Sequence, residues 1–425
     1  MSSYPGSVHA ASAAPAPTSA RPRRVAILGS TGSIGTQALQ VIAEHPEEFD
    51  VVALCAGTNA ALLAEQVRTF APATVGMHDD AAAQQLREAL SDSQTHRTQV
   101  FSGPEASEQI AGAAGADVVL NAMTGSIGLK PTLAALKSGA TLALANKESL
   151  VVGGALVKEA VQRPGQVVPV DSEHSALAQS LASGRHEKGL CSPGMSGTSE
   201  VRRLVLTASG GPFRGWDSQA LAAVTPDQAL KHPNFAMGLM VTTNSATMVN
   251  KALEVVEAHL LFDVALSNIE TVIHPQQYIH SLVEFHDGST LAQAGPPRML
   301  VPIALGLSWP QRLENVDTPI DWAHPMQWDF EPLDQDAFPA VQLAKQAAST
   351  SATHLAVYNA ANEQAVNAFH SQQLPFTGIL AVVEEVLAAH TGTSEARADL
   401  QSVLAAEQWA RSTADQLIAR SEGNL

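Results

Sequence analysis

Two carboxylates that follow an apolar segment are the residues of this sequence best suited to chemistry. Asp171 and Glu173 come directly after the strand-like run 167–170. Side chains two residues apart in extended backbone point the same way, so these carboxylates would converge and repel each other. A hard cation such as Mg2+ or Mn2+ prefers oxygen ligands and would relieve that repulsion. A helix cap at Asp171 or Ser172 accounts for the same residues equally well. We expect His174 to support the site rather than to be a ligand.

A glycine-rich segment near the start of the chain could bind a nucleotide. Residues 29–35 read GSTGSIG, after an apolar strand pattern and before a helical one. Gly29 would permit a tight turn, Gly32 a close approach of backbone to a pyrophosphate, and Gly35 close helix–strand packing. A tight structural turn is the alternative. The second predicted strand is followed by Gly57, Thr58 and Asn59, where no carboxylate would repel a 2'-phosphate, so NADP is favoured over NAD.

Three further segments could contact a phosphorylated ligand. Lys147 and Glu148 follow another strand pattern, and Lys147 could hold a hydroxyl or a phosphate. The run 209–211 offers a hydroxyl and unobstructed backbone N–H groups. The loop-like run 232–238 contains His232 and could be a lid that excludes water. The structural alternatives are a first helical turn, a flexible turn and a structural histidine.

A long helical pattern over 246–262 places polar residues on one side. Asn250 and Glu254 are four residues apart and can address one ligand. Glu254 could complete a three-carboxylate metal site, and Lys251 could bind phosphate. A solvated helix face is the alternative.

The elements that must position these residues alternate between apolar strands and amphipathic helices up to residue 170, which predicts a doubly wound parallel sheet. Ligands bind at the carboxyl ends of strands in such sheets. We predict an α/β fold class with an N-terminal Rossmann-type domain, an α+β domain and a C-terminal helical bundle. The predicted boundaries are a disordered tail over 1–24, the dinucleotide domain over 25–171, the α+β domain over 172–308 with a flap over 232–240, a linker over 309–338, and the helical domain over 339–425.

Composition limits the class of protein. A chain of 425 residues is too long for one core, and a net charge of -17 argues against a general nucleic-acid surface. The sequence has only two cysteines, Cys55 and Cys191, which fits a reducing compartment and a cytoplasmic location. No apolar run is long enough to span a bilayer. For the first residues, a short organelle transit peptide is the alternative to a disordered tail.

Seven segments together resemble the 1-deoxy-D-xylulose 5-phosphate reductoisomerase family, over nearly the whole chain from Val25. They are the runs 29–35, 144–150, 169–175, 206–213, 232–238, 245–257 and 273–276. The resemblance implies an enzyme of the non-mevalonate isoprenoid pathway. Such enzymes rearrange 1-deoxy-D-xylulose 5-phosphate and reduce the aldehyde with NADPH to 2-C-methyl-D-erythritol 4-phosphate. It also implies Mg2+ or Mn2+, a homodimer, and neither nucleic acid nor membrane as a partner.

The resemblance also implies roles by position. The catalytic residues would be Lys147, Glu173 and His232. The metal ligands would be Asp171, Glu173 and Glu254. The substrate contacts would be Lys147, Ser172, Glu173, Ser209, His232, Ser245, Asn250, Lys251 and Glu254. The NADPH contacts would be Thr31, Gly32, Ser33, Ile34, Gly57, Asn59, Asn146, Glu148 and Gly238.

Several positions depart from the family pattern. Thr58 stands where many members have Lys, and Phe235 replaces the usual flap Trp. Asn244 and Arg298 replace acids. Two other functions stay open on the residues alone. One is an NADP dehydrogenase acting on a semialdehyde or hydroxy acid, which needs no metal. The other is a nucleotide-sensing regulator without turnover.

Overall fold

The N-terminal part of the chain forms a parallel sheet of seven strands in the order β4-β3-β2-β1-β5-β6-β7. The computed structural model describes residues 21–91, 97–231, 238–394 and 398–422. The strands are β1 (Arg23–Leu28), β2 (Phe49–Ala56), β3 (Thr74–Met77), β4 (Gln99–Ser102), β5 (Val118–Asn121), β6 (Thr141–Leu144) and β7 (Val167–Pro169). The residues of these strands are mostly buried, as expected for a parallel sheet covered on both faces, except in the edge strand β4.

Helices connect these strands and cover the sheet. They are α1 (Ser33–Glu44), α2 (Ala60–Phe70), α3 (Asp80–Ala89), α4 (Ala106–Ala113), α5 (Leu129–Lys137) and α6 (Lys147–Ala160). The strand order reverses at β1, between β2 on one side and β5 on the other. In doubly wound sheets this switch point opens the crevice that binds ligands. The predicted Rossmann-type fold class is confirmed. β1 begins at Arg23, two residues inside the predicted tail, and residues 1–20 lie outside the described part.

A second, mixed sheet follows, in the order β11-β10-β8-β9-β12. Its strands are β8 (Val201–Ala208), β9 (Ile269–Ile273), β10 (Ile279–Phe285), β11 (Thr290–Ala294) and β12 (Glu331–Pro332). The helices of this region are α7 (Ser172–Leu181), α8 (Ser218–Leu221), α9 (Pro226–Ala229), α10 (Leu239–Ala246), α11 (Val249–Phe262) and α12 (Leu300–Ser308). β10 and β11 pair antiparallel across a turn at Asp287 and Gly288.

The chain ends in helices, as predicted. They are α13 (Ala340–Thr350), α14 (His354–His370), α15 (Gly378–Ala389) and α16 (Leu400–Glu422). α14 is the central one, because Tyr358, Val366 and Phe369 are fully or nearly fully buried. It packs against α15 and α16, and also against α6 and α10. The C-terminal helices therefore contact the elements that carry the candidate residues. Within the described residues, none of the helices is long and apolar enough to cross a membrane.

Candidate active site

The glycine-rich turn after β1 is shaped by two close backbone approaches. Gly29 has a φ of +83°, and a Cβ there would lie 2.6 Å from the Ala122 carbonyl oxygen. A Cβ on Gly35 would lie 2.3 Å from the Gly29 carbonyl oxygen, so α1 can pack on the turn only without a side chain there. Ser30 is buried, and its hydroxyl donates to Gln66 of α2 at 2.7 Å. The turn thereby places the N-terminus of α1 beside the end of β5. The first backbone N–H groups of a helix have no partner within the helix and favour an anion.

The two carboxylates of the 171–173 segment come together for a different reason than predicted. β7 ends at Pro169, and Glu173 lies in the first turn of α7, so extended backbone does not align the pair. Asp171 occupies the N-cap position, but its side chain makes no capping hydrogen bond. Glu173 is buried, and Ser172 donates to it at 2.6 Å. The helix start therefore turns both carboxylates toward neighbouring elements rather than toward the backbone of α7.

The helix predicted over 246–262 begins three residues later in the structure, as α11, and a separate helix, α10, precedes it. α10 ends at Ala246, Met248 adopts a left-handed conformation with a φ of 63°, and α11 begins at Val249. Helical periodicity alone does not reveal this break, because no Gly or Pro marks it. The break lets α10 and α11 point in different directions. Asn250, Lys251 and Glu254 then share the first turns of α11.

Two lysines and three carboxylates form one network at the junction of α6, α7 and α11. The Lys147 ammonium donates to Asn250 Oδ1 at 3.0 Å and to Glu254 Oε1 at 3.1 Å, and it also pairs with Asp171. The Lys251 ammonium lies 2.7 Å from Glu173 Oε1 and also pairs with Glu254. The side chain of Glu254 is 1% exposed, so its charge depends on these partners.

Burial and neighbouring charges set the protonation of this network. Burial alone would lower the pKa of Lys147, but Asp171 and Glu254 raise it well above its usual value. Burial alone would raise the pKa of Glu173, but Lys251 lowers it far below its usual value. Burial and the charge of Glu173 raise the pKa of Glu254, against the opposing effect of the two lysines. Both lysines therefore stay charged, and Glu254 is the carboxylate whose charge is least supported.

His174 and Glu257 form a buried pair behind this network, and neither side chain is exposed to solvent. His174 Nε2 donates to the Glu254 carbonyl at 2.8 Å, so its Nδ1 faces Glu257 Oε2 at 3.3 Å. These facing atoms have no hydrogen-bond partner among the described residues. Burial lowers the pKa of His174 to about 4, and burial, with the charge of Asp171, raises the pKa of Glu257. His174 thus holds α7 to the backbone of a site residue, in line with its expected supporting role.

The carboxylates fit a divalent cation by their chemistry and their spacing. Oxygens of Asp171, Glu173 and Glu254 all lie within 4.8 Å of one another. A second set, formed by Asp171, His174 and Glu257, meets the same distance. The first set is made only of carboxylate oxygens, which Mg2+ and Mn2+ prefer, whereas the second includes an imidazole. The all-oxygen set is the better match to a hard cation.

The network opens into a cavity of about 710 Å³ that also reaches the glycine-rich turn. Gly32, Ser33 and Ile34 form one end, and Lys251 and Glu254 lie at the other. This volume lies within the range of about 300–1,000 Å³ that is usual for small-molecule and cofactor sites. One cavity could therefore hold a dinucleotide and a small phosphorylated molecule together.

Comparison with known proteins gives the family. Residues 25–154 match 1-deoxy-D-xylulose 5-phosphate reductoisomerase, and residues 167–262 and 294–413 match two descriptions of the C-terminal part of that enzyme. The reductoisomerase of Pseudarthrobacter chlorophenolicus is 56% identical over 413 residues, which cover 94% of this chain and 99% of the relative. The chain belongs to the 1-deoxy-D-xylulose 5-phosphate reductoisomerase family. The family member of Streptomyces coelicolor is 51% identical over 408 residues, covering 94% of each chain.

Solved structures of reductoisomerases share the fold. The Zymomonas mobilis enzyme in complex with NADPH superposes with a TM-score of 0.84 at 39% identity, covering 94% of this chain and 99% of that one. A reductoisomerase in complex with NADPH, fosmidomycin and magnesium also gives 0.84, at 33% identity, covering 93% of this chain and 98% of that one. The similarity therefore extends over the parallel sheet, the second sheet and the C-terminal helices.

Most of the reductoisomerase residues named from the sequence meet at the cavity. Those lining it are Gly32, Ser33, Ile34, Lys147, Glu148, Asp171, Ser172, Glu173, Ser209, Gly238, Ser245, Asn250, Lys251 and Glu254. They come from segments that are far apart in the chain. Lys147 and Glu254, for example, are separated by 107 positions and make a direct hydrogen bond.

Four named residues do not line the cavity. Thr31 lies within the turn, and Gly57 and Asn59 follow β2, where Asn59 caps α2 by accepting from the Leu62 N–H at 3.1 Å. Asn146 is buried, caps α6, and donates to the Met123 and Gly125 carbonyls. His232 and most of the predicted flap lie outside the described residues. At the end of the predicted flap, Leu239 and Met240 belong to the first turn of α10.

Other cavity residues carried little signal in the sequence. Met123 follows β5 at the switch point, a place where ligand contacts are expected in this fold. Gln277 lines the cavity from the segment between β9 and β10, one residue after the run 273–276 that carries the resemblance. Arg298 lines it just before α12 and pairs with Asp317 at 3.1 Å. The sequence marked Arg298 only as a departure from the family pattern.

Proposed function

We propose that this chain is an NADPH-dependent oxidoreductase that rearranges 1-deoxy-D-xylulose 5-phosphate and reduces the product to 2-C-methyl-D-erythritol 4-phosphate, a step of isoprenoid precursor synthesis. One observation carries the proposal. Asp171, Glu173 and Glu254 converge with two lysines in the cavity that also contains the glycine-rich turn at the N-terminus of α1. A dehydrogenase without a metal would need the turn but not the carboxylates.

The cofactors would be NADPH and a divalent cation, Mg2+ or Mn2+. Asp171, Glu173 and Glu254 would hold the cation, because they offer three carboxylate oxygens within 4.8 Å of one another. When bound, such an ion supplies Lewis-acid stabilisation of negative charge on the hydroxyl and carbonyl oxygens of the substrate. A related solved structure contains magnesium with NADPH and fosmidomycin, which supports this assignment.

Lys147 and Lys251 would act on the substrate as fixed positive charges. The pKa of each is raised, with burial opposing and the neighbouring carboxylates prevailing, so each keeps its proton over the physiological range. Lys147 would donate from Nζ to an oxygen at the reacting carbons, where negative charge develops as a bond beside the carbonyl breaks and re-forms. Glu173 and Glu254 would fix Lys251 in position, because it pairs with both. His232 would join them as a catalytic residue from the flap.

The substrate phosphate would bind at the end of the cavity formed by β8 and α10. Ser209 follows β8, and the Gly211 N–H donates to its hydroxyl at 3.1 Å. Ser245 lies close by, since a Cβ on Gly211 would come 2.9 Å from the Ser245 carbonyl oxygen. Ser172, Asn250 and Lys251 would supply further donors. Binding energy from this remote phosphate would favour closure of the flap over the reacting carbons.

NADPH would lie along the N-terminus of α1, with its pyrophosphate on the backbone N–H groups around Thr31, Gly32, Ser33 and Ile34. Asn146, Glu148 and Gly238 would hold its nicotinamide end. When bound, NADPH would supply the hydride that reduces the aldehyde. Gly57 and Asn59 would face the adenosine ribose, and the lack of a carboxylate there favours NADPH over NADH.

The chain would divide into a dinucleotide domain over 25–171, a catalytic and dimerisation domain over 172–308, a linker over 309–338 and a helical domain over 339–425. The three matched segments, 25–154, 167–262 and 294–413, support a division of this kind. We further propose a homodimer. β11 is an edge strand of the second sheet, so its outer backbone groups could pair with a strand of the second copy. A cytoplasmic location is supported by two free cysteines, Cys55 and Cys191.

The test is NADPH oxidation by the purified chain with 1-deoxy-D-xylulose 5-phosphate, with and without EDTA. We expect turnover that EDTA abolishes and that Mg2+ or Mn2+ restores. Turnover that survives EDTA would favour the metal-free dehydrogenase instead. NADPH binding without turnover, in the presence of metal, would favour the nucleotide-sensing regulator. Light scattering on the same sample gives the oligomeric state.

A further inference from the structure

The C-terminal helix α14 is hydrogen-bonded to α10, the helix that carries Ser245. Asn362 Nδ2 donates to Asn244 Oδ1 at 2.9 Å, and both residues are buried. His370 Nε2 lies 2.7 Å from Thr243 Oγ1. The Thr243 hydroxyl donates to the Leu239 carbonyl at 2.9 Å, so it accepts from His370. Two consecutive residues of α10 are therefore fixed by two residues of α14 that are two turns apart.

α10 needs such external support. It has eight residues, no side-chain cap at its start, and a left-handed residue, Met248, shortly after its end. Helices this short are not stable by themselves, so tertiary contacts must set the position of α10. Val241 and Ser245 of α10, four residues apart, line the cavity, and Asn244 both lines it and contacts α14. A shift of α10 would therefore move these side chains relative to the turn after β8.

The same C-terminal region also holds the turn after β8. Phe213, just beyond Gly211, packs edge-on against Phe376 at a ring distance of 5.2 Å. Phe376 packs in turn against Phe369 of α14 at 5.7 Å. All three rings are nearly fully buried. Helix α14 thus supports both sides of the place where the substrate phosphate is expected, by hydrogen bonds on one side and by aromatic packing on the other.

The polar groups in this contact are costly to bury. Asn362 is 0% exposed, and its Oδ1 has no hydrogen-bond partner among the described residues. A pair of apolar residues in place of Asn362 and Asn244 would avoid that cost. The amide therefore contributes orientation more than stability, because its N–H can engage only a correctly placed Asn244.

We propose that Asn362 and His370 are positioning residues for the phosphate end of the substrate, acting through α10. This rests on the proposed function, which places the substrate phosphate at Ser209 and Ser245. The C-terminal helices would then determine affinity for the substrate without touching it. They would affect the affinity for NADPH much less, since the glycine-rich turn makes none of these contacts and only Gly238, at the start of α10, belongs to the expected NADPH contacts.

The test compares Asn362→Leu and His370→Phe with Gln364→Ala as a control on the same helix. Gln364 donates to Asp415 of α16 at 2.6 Å and is not among the residues bonded to α10. We expect both variants of the contact to raise the KM for 1-deoxy-D-xylulose 5-phosphate about tenfold and to change the KM for NADPH less than twofold. His370→Gln keeps a donor at the Nε2 position and should restore near-normal KM. The control should match the unmodified chain.

Three results would overturn the proposal. One is an unchanged substrate KM in both variants. Another is an equal rise in both KM values, which would indicate general loosening. The third is a failure of His370→Gln to restore what His370→Phe loses. If Asn362→Leu does not fold, the comparison of His370→Phe with His370→Gln tests the proposal by itself. If the unmodified chain shows no turnover, the proposed function fails, and calorimetric affinity for inorganic phosphate across the same variants still tests the contact.

Discussion

The two ends of the cavity are built in different ways. The end at which we propose that the dinucleotide binds is one continuous segment, Gly29 to Gly35, shaped by close backbone approaches. The metal and substrate end is made of side chains from α6, α7 and α11, and its hydrogen bonds span up to 107 positions of the chain. A backbone site is sensitive to added atoms, whereas a side-chain site is sensitive to lost charges. Substitutions at the two ends should therefore fail in distinguishable ways.

The largest effect is expected from Glu254→Gln. The amide keeps the size of the side chain but removes a negative charge that faces Lys147, Lys251 and the expected cation. We expect kcat with Mn2+ to fall by about 10³-fold, the scale seen when an electrostatic group of an active site is removed. NADPH affinity, measured by fluorescence titration, should stay within about twofold. Near-normal turnover would contradict the metal assignment.

The second largest effect is expected at the glycine-rich turn, from Gly35→Ala. Gly35→Ala would place a Cβ 2.3 Å from the Gly29 carbonyl oxygen, so the turn or α1 must shift. We expect a loss of about 1–3 kcal/mol in the free energy of unfolding, as for an overpacked core, and at least tenfold weaker NADPH binding. Urea unfolding and NADPH titration would measure these changes.

The matched control for Gly35 is Gly112→Ala in α4. A Cβ there would lie 3.8 Å from the nearest atom, the Ala134 Cβ. Alanine is favoured over glycine inside a helix, so this variant should be neutral or slightly stabilising. Equal behaviour of the two variants would show that close packing at Gly35 is not what shapes the dinucleotide end.

A smaller effect is expected from Gly57→Asp, which tests how far the dinucleotide end extends. A Cβ on Gly57 meets nothing within 4 Å, so the change should not disturb folding. A carboxylate near a 2'-phosphate would repel it by about 1–4 kcal/mol, depending on solvent screening. We expect the KM for NADPH to rise about tenfold and the KM for NADH to stay unchanged. If the ratio of the KM for NADPH to the KM for NADH does not change, the end of β2 does not face the ribose.

The smallest effect is expected from Glu407→Gln, which lies away from both ends. Glu407 is buried, its Oε1 has no partner among the described residues, and burial raises its pKa. A raised pKa in the folded state means that stability is lost as pH rises through that pKa. The variant should therefore raise Tm by roughly 1–2 °C at pH 8 and by less at pH 5. The values of kcat and both KM should not change. Altered kinetics would link this part of α16 to the cavity.

The local sequence predicted those parts of the structure that depend on contacts between residues close together in the chain. The spacing of Gly29, Gly32 and Gly35 predicted the turn, since a Cβ on Gly32 or Gly35 would meet the Gly29 carbonyl oxygen within the same segment. Strand and helix periodicity predicted the doubly wound sheet and the C-terminal helices. Local pattern missed the left-handed residue Met248, which separates α10 from α11, so the predicted helix started three residues too early. It also gave the wrong reason for the pairing of Asp171 and Glu173, which lie at a helix start and not in a strand.

The sequence by itself determined the fold class, the dinucleotide turn and the residue types of the metal site, because these follow from short-range spacing and side-chain chemistry. Only the tertiary structure decided which charges meet. It paired Lys147 with Glu254 and Lys251 with Glu173, placed His174 on the Glu254 carbonyl, and fastened α10 to α14 through Asn362. The physical reason is distance along the chain. Contacts between residues that are far apart in sequence depend on how whole elements pack, and a local pattern carries no record of that packing.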